Sequence, residues 1–164
     1  MMADGVRLAV LGSGEPGIEQ ALVEAARPHS GQAAVKLGYD AALARRIYAG
    51  ADAFLMPSRY EPCGLGQLIS LRYGTAPIVR RTGGLADTVS EFDPRRGTGT
   101  GFVFDSATAD ALLRAVRRAT EIHGEPPLWR QLMRNGMAKD FSWEASAHEY
   151  VALYQKAIKR AQRR

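Results

Sequence analysis

Glu61, Gly64 and Gly66, closely spaced in PSRYEPCGLGQL (residues 57–68), are the residues of this sequence best arranged to do chemistry. The segment follows a short apolar run, Ala53-Phe54-Leu55-Met56, of the kind that forms a buried parallel strand. It precedes Leu68, Ile69, Leu71 and Tyr73, whose spacing is helical in part. Pro57 closes the strand, and Pro62 stands where a first helical turn can begin. Gly64 and Gly66 let backbone N–H groups approach a ligand with no Cβ in the way. A helix start gathers unpaired N–H donors and the positive end of the helix dipole, so oxyanions and sugar hydroxyls are natural guests. The same spacing also fits an ordinary strand-to-helix loop in which Glu61 is a solvated acid.

Other chemistries find less support. His29, His123 and His148 are far apart in the chain and the single cysteine, Cys63, lies beside none of them, so the spacing gives neither a metal set nor a cysteine nucleophile with its base. Gly12, Gly14 and Gly17 complete a GxGxxG after an apolar run, but no acidic residue closes a second strand, and Asp40 reads as a helix N-cap. The net charge of +5 raises nucleic-acid binding as a candidate. The cations are dispersed, however: Arg114, Arg117 and Arg118 on one helix, Arg80-Arg81 at a strand end, and Lys156, Lys159, Arg160, Arg163 and Arg164 near the C-terminus. Cations in the last turn of a helix complement its dipole, and no nucleic-acid-binding signature accompanies them.

The elements that must position Glu61 read as strands alternating with helices. Strands are expected over residues 6–11, 33–37, 52–56, 76–79 and 101–104. Helices are expected from Pro16 to near residue 26, over residues 40–50, and after the central turn. Such alternation argues one parallel sheet covered on both faces, with ligands at the carboxyl ends of the strands. Residues 93–101, DPRRGTGTG, read as a mobile loop without a packing signal. From Ser106 the chain is expected to be helical, with Ser106 or Asp110 capping the first helix, a second over residues 128–139, and a third capped by Ser142. In the third, Tyr150, Leu153, Tyr154, Ala157 and Ile158 mark a side expected to pack. The 164 residues suit one domain burying roughly 70% of its unfolded surface. An apolar content of 46% with 24% charged residues fits a globular chain, no run approaches the length of a membrane span, and the first five residues do not read as a secretory signal. A lone cysteine fits a reducing compartment such as the cytoplasm.

Residues 57–89 carry three blocks in order, EPCGLxQL, RYGxxPIVR and TGGLxDTV, and in these they resemble the bacterial glycogen synthase and plant starch synthase family. The resemblance runs outward through Gly38-Tyr39 and Ala49-Gly50-Ala51-Asp52 to Asp140-Phe141-Ser142-Trp143, and so spans nearly the whole chain. It implies an α/β, Rossmann-like parallel sheet, the C-terminal half of a GT-B fold, here one incomplete donor-binding domain over residues 1–164 that is mainly helical from residue 106. The implied activity is retaining transfer of glucose from ADP-glucose to an α-1,4-glucan such as glycogen, with no metal or other cofactor. Residue by residue, Glu61 matches the glutamate that holds the hydroxyls of the transferred glucosyl ring. Cys63, Gly64 and Leu65 match the turn whose backbone touches the glucose and the distal phosphate. Gly38 and Tyr39 match the adenine site, where the tyrosine stacks on the base. Thr82, Gly83 and Gly84 match a second turn that either supports the first or faces the phosphates, and the glycine-rich turn at residues 12–14 becomes a site near the donor.

Departures from the family pattern are visible too. Ile69 occupies the place where the wider superfamily often has a second glutamate, which favours the narrower family, and Gly66 stands where some relatives have threonine. The resemblance leaves no counterpart for the acceptor-binding domain, nor for the opening strand and loop of the donor domain with their diphosphate-gripping arginine and lysine. The expectation is therefore a fragment, a truncated form, or a subunit completed by a separate chain. A non-catalytic sugar-nucleotide- or glucan-binding fragment and a related retaining transferase with another donor remain the alternatives, and neither nucleic acid nor membrane is an expected partner.

Overall fold

The short apolar runs form strands joined only in parallel pairs: β1 (Leu8–Gly12), β2 (Ala33–Leu37), β3 (Ala53–Met56), β4 (Ala76–Arg80) and β5 (Phe102–Phe104). A computed structural model describes residues 5–162, so the reading of residues 1–4 and of Arg163 and Arg164 lies outside the described residues. Between and after the strands run helices α1 (Pro16–Ala26), α2 (Ala41–Gly50), α3 (Gly66–Tyr73), α4 (Gly83–Thr88), α5 (Ala109–His123), α6 (Pro126–Met137) and α7 (Trp143–Ala161).

Local chemistry sets most boundaries. Pro16 opens α1, where its missing N–H is no loss. Asp40 caps α2 by accepting from the Leu43 N–H at 2.9 Å, and Ser142 caps α7 through the Ala145 N–H at 3.2 Å. Helix α3 stops at Gly74, whose φ of 77° is left-handed, and the Thr75 N–H then reaches back to the Ser70 carbonyl at 2.9 Å. The cap of α5 is Thr108, not Ser106 or Asp110: its hydroxyl accepts from the Ala111 N–H at 3.3 Å, while Asp110 already lies inside the first turn. Helix α6 begins at Pro126, two residues earlier than its apolar pattern suggests, because proline suits a first helical position.

Instead of one sheet there are two, β1-β2 and β3-β4-β5. The second is covered on both faces. On one side Ala76, Ile78, Phe102 and Phe104 pack with Ala111, Ala115 and Val116 of α5 and with Trp129 and Leu132 of α6. On the other, Val79 and Val103 pack with Leu85 of α4 and with Val89 just after it. Helices α3 and α6 also meet closely, since a Cβ on Gly136 would stand 2.8 Å from the Leu71 side chain. The first sheet is covered lightly, and neither α1 nor α2 has a buried residue.

Two expectations are corrected. Residues 93–101 are tied down: Asp93 bridges Thr98, and the Asn135 side chain of α6 donates to the Gly97 and Gly99 carbonyls at 2.8 and 2.9 Å. Glycine there serves close approach, for a Cβ on Gly99 would fall 2.1 Å from the Glu91 carbonyl oxygen. Helix α7 has the expected apolar periodicity but no buried residue, with Leu153 58% and Ile158 56% exposed. Periodicity marks a face; it does not supply a partner for it.

This contrast sets a stability test on the monomeric chain by urea denaturation. Leu132→Ala, at a position 1% exposed, is expected to cost about 2–5 kcal/mol. Ile158→Ser, on the open face of α7, is expected to change stability by less than about 0.5 kcal/mol. A loss at Ile158 as large as that at Leu132 would mean that α7 packs onto the body of the chain.

Candidate functional site

Glu61 lies in the loop that leaves the carboxyl end of β3, half-buried, with the Ser58 hydroxyl donating to its Oε2 at 3.4 Å. That loop is gripped from β4. Arg80 donates through Nε to the Ser58 carbonyl at 2.7 Å, through Nη1 to the Asp105 carbonyl at 3.3 Å, and through Nη2 to the Arg59 carbonyl. A planar guanidinium can hold several oxygens in one fixed fork, so Arg80 locks the loop to the end of the sheet.

Beneath Glu61 the Thr82-Gly83-Gly84 turn meets the loop backbone to backbone. A Cβ on Gly83, whose φ is 44°, would stand 1.9 Å from the Glu61 carbonyl oxygen, and one on Gly84 would stand 2.2 Å from that of Cys63. The Gly84 N–H donates to the Glu61 carbonyl at 3.1 Å. The turn therefore packs directly against the Glu61 loop.

The next residues are shaped from inside. Gln67, fully buried, turns its Nε2 to the Cys63 and Gly64 carbonyls, both at 3.0 Å, and to the Thr88 hydroxyl at 3.2 Å. Gly64, with φ of 76°, passes so close that a Cβ would lie 2.5 Å from Gln67 Oε1. That Oε1 is buried without a hydrogen-bond partner among the described residues. Helix α3 starts at Gly66, not at Pro62, and its N-cap Leu65 has no side-chain oxygen to cap it. The first amides of α3 therefore have no capping side chain, and Leu65 itself is 68% exposed. Gly66 lets α3 start close against Phe54, since a Cβ there would stand 2.9 Å from the ring and require it to shift. The Cys63 thiol is free and exposed.

Gly38 and Tyr39 follow β2 in the other sheet. Gly38, with φ of 104°, donates its N–H to the Gly12 carbonyl at 2.8 Å, so the turns after β1 and β2 lie side by side. Tyr39 is 93% exposed. Its neighbour Asp40 is held below the usual carboxylate range, first by the Lys36 ammonium at 2.7 Å and then by the Leu43 N–H. In the turn after β1, the Gly14 N–H donates to Glu19 Oε1 at 2.7 Å. The predicted site residues thus lie in segments that follow a strand's carboxyl end, with the turn at residues 12–14, Gly38 and Tyr39 after the strands of one sheet and the rest after those of the other.

A cavity of about 160 Å³ lies beside the loop, lined by Pro57, Arg59, Phe104, Thr108 and Leu112 among others. Enclosed ligand sites run from roughly 300 Å³ upward, so this cavity falls below that range. Among the described residues no three His, Cys, Asp or Glu side chains gather as a metal site, and no helix is long and apolar enough to cross a membrane. Sequence reasoning assigned no role to Ser58, Gln67 or Arg80. Gln67 lies inside the EPCGLxQL block, and Arg80 ends a strand next to the second glycine turn, but their function here is to hold backbone carbonyls, which no spacing rule reports.

Comparison with known proteins identifies the family. A family model described as "Glycosyl transferases group 1" matches residues 3–136. The glycogen synthase of Anaeromyxobacter dehalogenans is 54% identical over 154 residues, which is 94% of this chain and 32% of that protein. The glycogen synthase of Syntrophotalea carbinolica is 50% identical over 158 residues, 96% of this chain and 33% of that one. Among solved structures, the catalytic domain of starch synthase IV from Arabidopsis thaliana, bound to ADP and acarbose, is similar with a TM-score of 0.73 and 30% identity, over 94% of this chain and 39% of its own. This chain spans about a third of the length of these curated relatives. With a family model covering most of its residues, an α/β fold of parallel strands and an open site at their carboxyl ends, the chain belongs to the group 1 glycosyl transferases.

Proposed function

We propose that this chain is the donor-binding part of a glycogen synthase, which transfers glucose from ADP-glucose to the end of an α-1,4-glucan with retention of configuration. The observation that carries the reading is the Glu61 turn, a carboxylate and an uncapped helix start braced from beneath by Gly83 and Gly84. It stands in a chain whose relatives named glycogen synthase are 50–54% identical. The solved neighbour bound to ADP and acarbose is consistent with a nucleotide on one side and a glucan on the other.

In this reading the Glu61 carboxylate binds the hydroxyls of the glucosyl ring and stabilises the positive charge that develops at the anomeric carbon. Ser58 and Arg80 keep it in place. The backbone amides from Gly64 to Gly66 take the distal phosphate at the positive end of α3, and the exposed Tyr39 ring stacks on adenine beside Gly38. Thr82, Gly83 and Gly84 serve the donor by fixing the loop. The glucan-binding face comes from polypeptide beyond these residues, and the reaction belongs in the cytoplasm, where Cys63 stays a thiol. Alone, the chain holds donor weakly and transfers nothing, because catalysis needs donor and acceptor held together.

Placed in a complete enzyme carrying this segment, Glu61→Gln is expected to lower turnover at least about a hundredfold with little change in ADP affinity. Turnover equal to that of the parent would remove Glu61 from the site. Tyr39→Ala is expected to weaken ADP binding about tenfold or more in a calorimetric titration, as loss of a stacked base does, with Tyr39→Phe close to the parent. Equal losses in the two variants would assign the effect to the hydroxyl.

A further inference from the structure

Gln67 is polar where a residue kept only for packing would be apolar. Its side chain is wholly buried in the first turn of α3, and its Oε1 has no hydrogen-bond partner among the described residues. A buried acceptor left unpaired costs its desolvation, which an apolar side chain of the same length would avoid. What the amide supplies is its donor end. Nε2 faces the Cys63 and Gly64 carbonyls, both at 3.0 Å, and the Thr88 hydroxyl at 3.2 Å. Only a donor can face two carbonyls at once, and the Cys63 thiol, 3.7 Å from the Gly64 carbonyl, is a weak donor beside it.

The held carbonyls decide where the neighbouring amides point. In a trans peptide the C=O and N–H point in opposite directions, and no described peptide is cis. With the Cys63 carbonyl turned in to Gln67, the Gly64 N–H is turned away from it, and the Gly64 carbonyl orients the Leu65 N–H in the same manner. Neither N–H has a hydrogen-bond partner among the described residues. Gly64 has a φ of 76°, and Leu65 lies in the right-handed region at φ −108° and ψ −24°. Successive residues of opposite hand bring their N–H groups toward one point, a nest that favours an anion. Donation to a carbonyl also polarises its peptide and strengthens the N–H on the far side.

The link continues into α4. The Thr88 hydroxyl accepts from Gln67 Nε2 and donates to the Gly84 carbonyl at 2.6 Å, and the Gly84 N–H donates to the Glu61 carbonyl at 3.1 Å. The turn at Gly64 is therefore tied through Gln67, Thr88 and Gly84 to the residue that carries the carboxylate.

We infer that Gln67, backed by Thr88, is a positioning residue that aims the Gly64 and Leu65 N–H groups at the distal phosphate of a nucleoside diphosphate, and so sets a preference for diphosphate over monophosphate. The inference rests on the donor-binding reading above. Gln67 itself touches no part of the donor; it acts through the two peptide groups that it holds.

Calorimetric titration of ADP, AMP and adenosine into a complete enzyme carrying this segment, with urea denaturation alongside, tests the role. Gln67→Met keeps the length of the side chain and removes its donors, Thr88→Val removes the hydroxyl, and Thr88→Ser keeps it. Gln67→Met is expected to weaken ADP binding at least about tenfold and binding of AMP and adenosine less than about twofold, a loss of selectivity that lowered stability alone does not produce. Thr88→Val is expected to weaken ADP binding about threefold, and Thr88→Ser to recover most of that loss. In Gln67→Met, ADP binding equal to that of the parent, or equal losses for all three ligands, would overturn the inference. Should Gln67→Met fail to fold, ADP binding as tight in Thr88→Val as in Thr88→Ser would overturn it. A parent enzyme that binds ADP no more tightly than AMP would overturn the donor-binding reading itself, and the inference with it.

Discussion

Backbone pressed on backbone, with no side chain between, is the constraint on which the site depends. Gly83 and Gly84 lie so close under Glu61 and Cys63 that any Cβ would have to enter the space of a carbonyl oxygen. The contact is firm because of what stands behind it. Thr82 follows β4 after a single residue, and α4 is anchored by Leu85, wholly buried with Val79 and beside Val89 and Val103. Gln67 and Arg80 then take up the carbonyls of Cys63, Gly64, Ser58 and Arg59, so the loop is held from three directions. A group whose task is to meet charge developing in a transition state gains from being fixed in advance, because little reorganisation is then required during the reaction.

The two halves of the binding face differ in how firmly they are held. Glu61 follows the partly buried β3 of a sheet whose β4 and β5 are buried, while Tyr39 follows the lightly covered β1-β2 pair. Segments with few buried apolar contacts open at lower free energy than the core does. Under the proposed function, the nucleotide end of a donor meets the softer half and the glucosyl end the firmer one.

Much of the fold was legible in the sequence wherever a single local cause decides. β2 appears over the very residues of its apolar run, and Pro16, Asp40 and Ser142 open or cap helices as their chemistry dictates. Legibility failed where several local causes compete or where the cause is distant. Ser106, Thr108 and Asp110 are all good caps, and only the backbone conformation selects Thr108. The glycines of residues 93–101 looked like a sign of freedom, yet Gly99 is there to let the chain touch Glu91, and Asn135 closes the loop from α6. The apolar face of α7 was visible as a pattern but stays exposed. At the site, Glu61 and its glycines stood out by type and spacing, whereas the buried Gln67 and the carbonyl-holding Arg80 emerge only when the loops are placed in space.

The most direct test of a site held by backbone contact is the ADP dissociation constant of Gly84→Ala in a complete enzyme carrying this segment, set against Gly50→Ala. Each variant adds one methyl group, but a Cβ at Gly50 meets nothing within 4 Å, whereas at Gly84 it meets the Cys63 carbonyl oxygen at 2.2 Å. Gly84→Ala is predicted to weaken ADP binding at least about tenfold, equivalent to about 1.4 kcal/mol, with Gly50→Ala indistinguishable from the parent. Equal ADP affinity in Gly84→Ala and the parent would contradict the account.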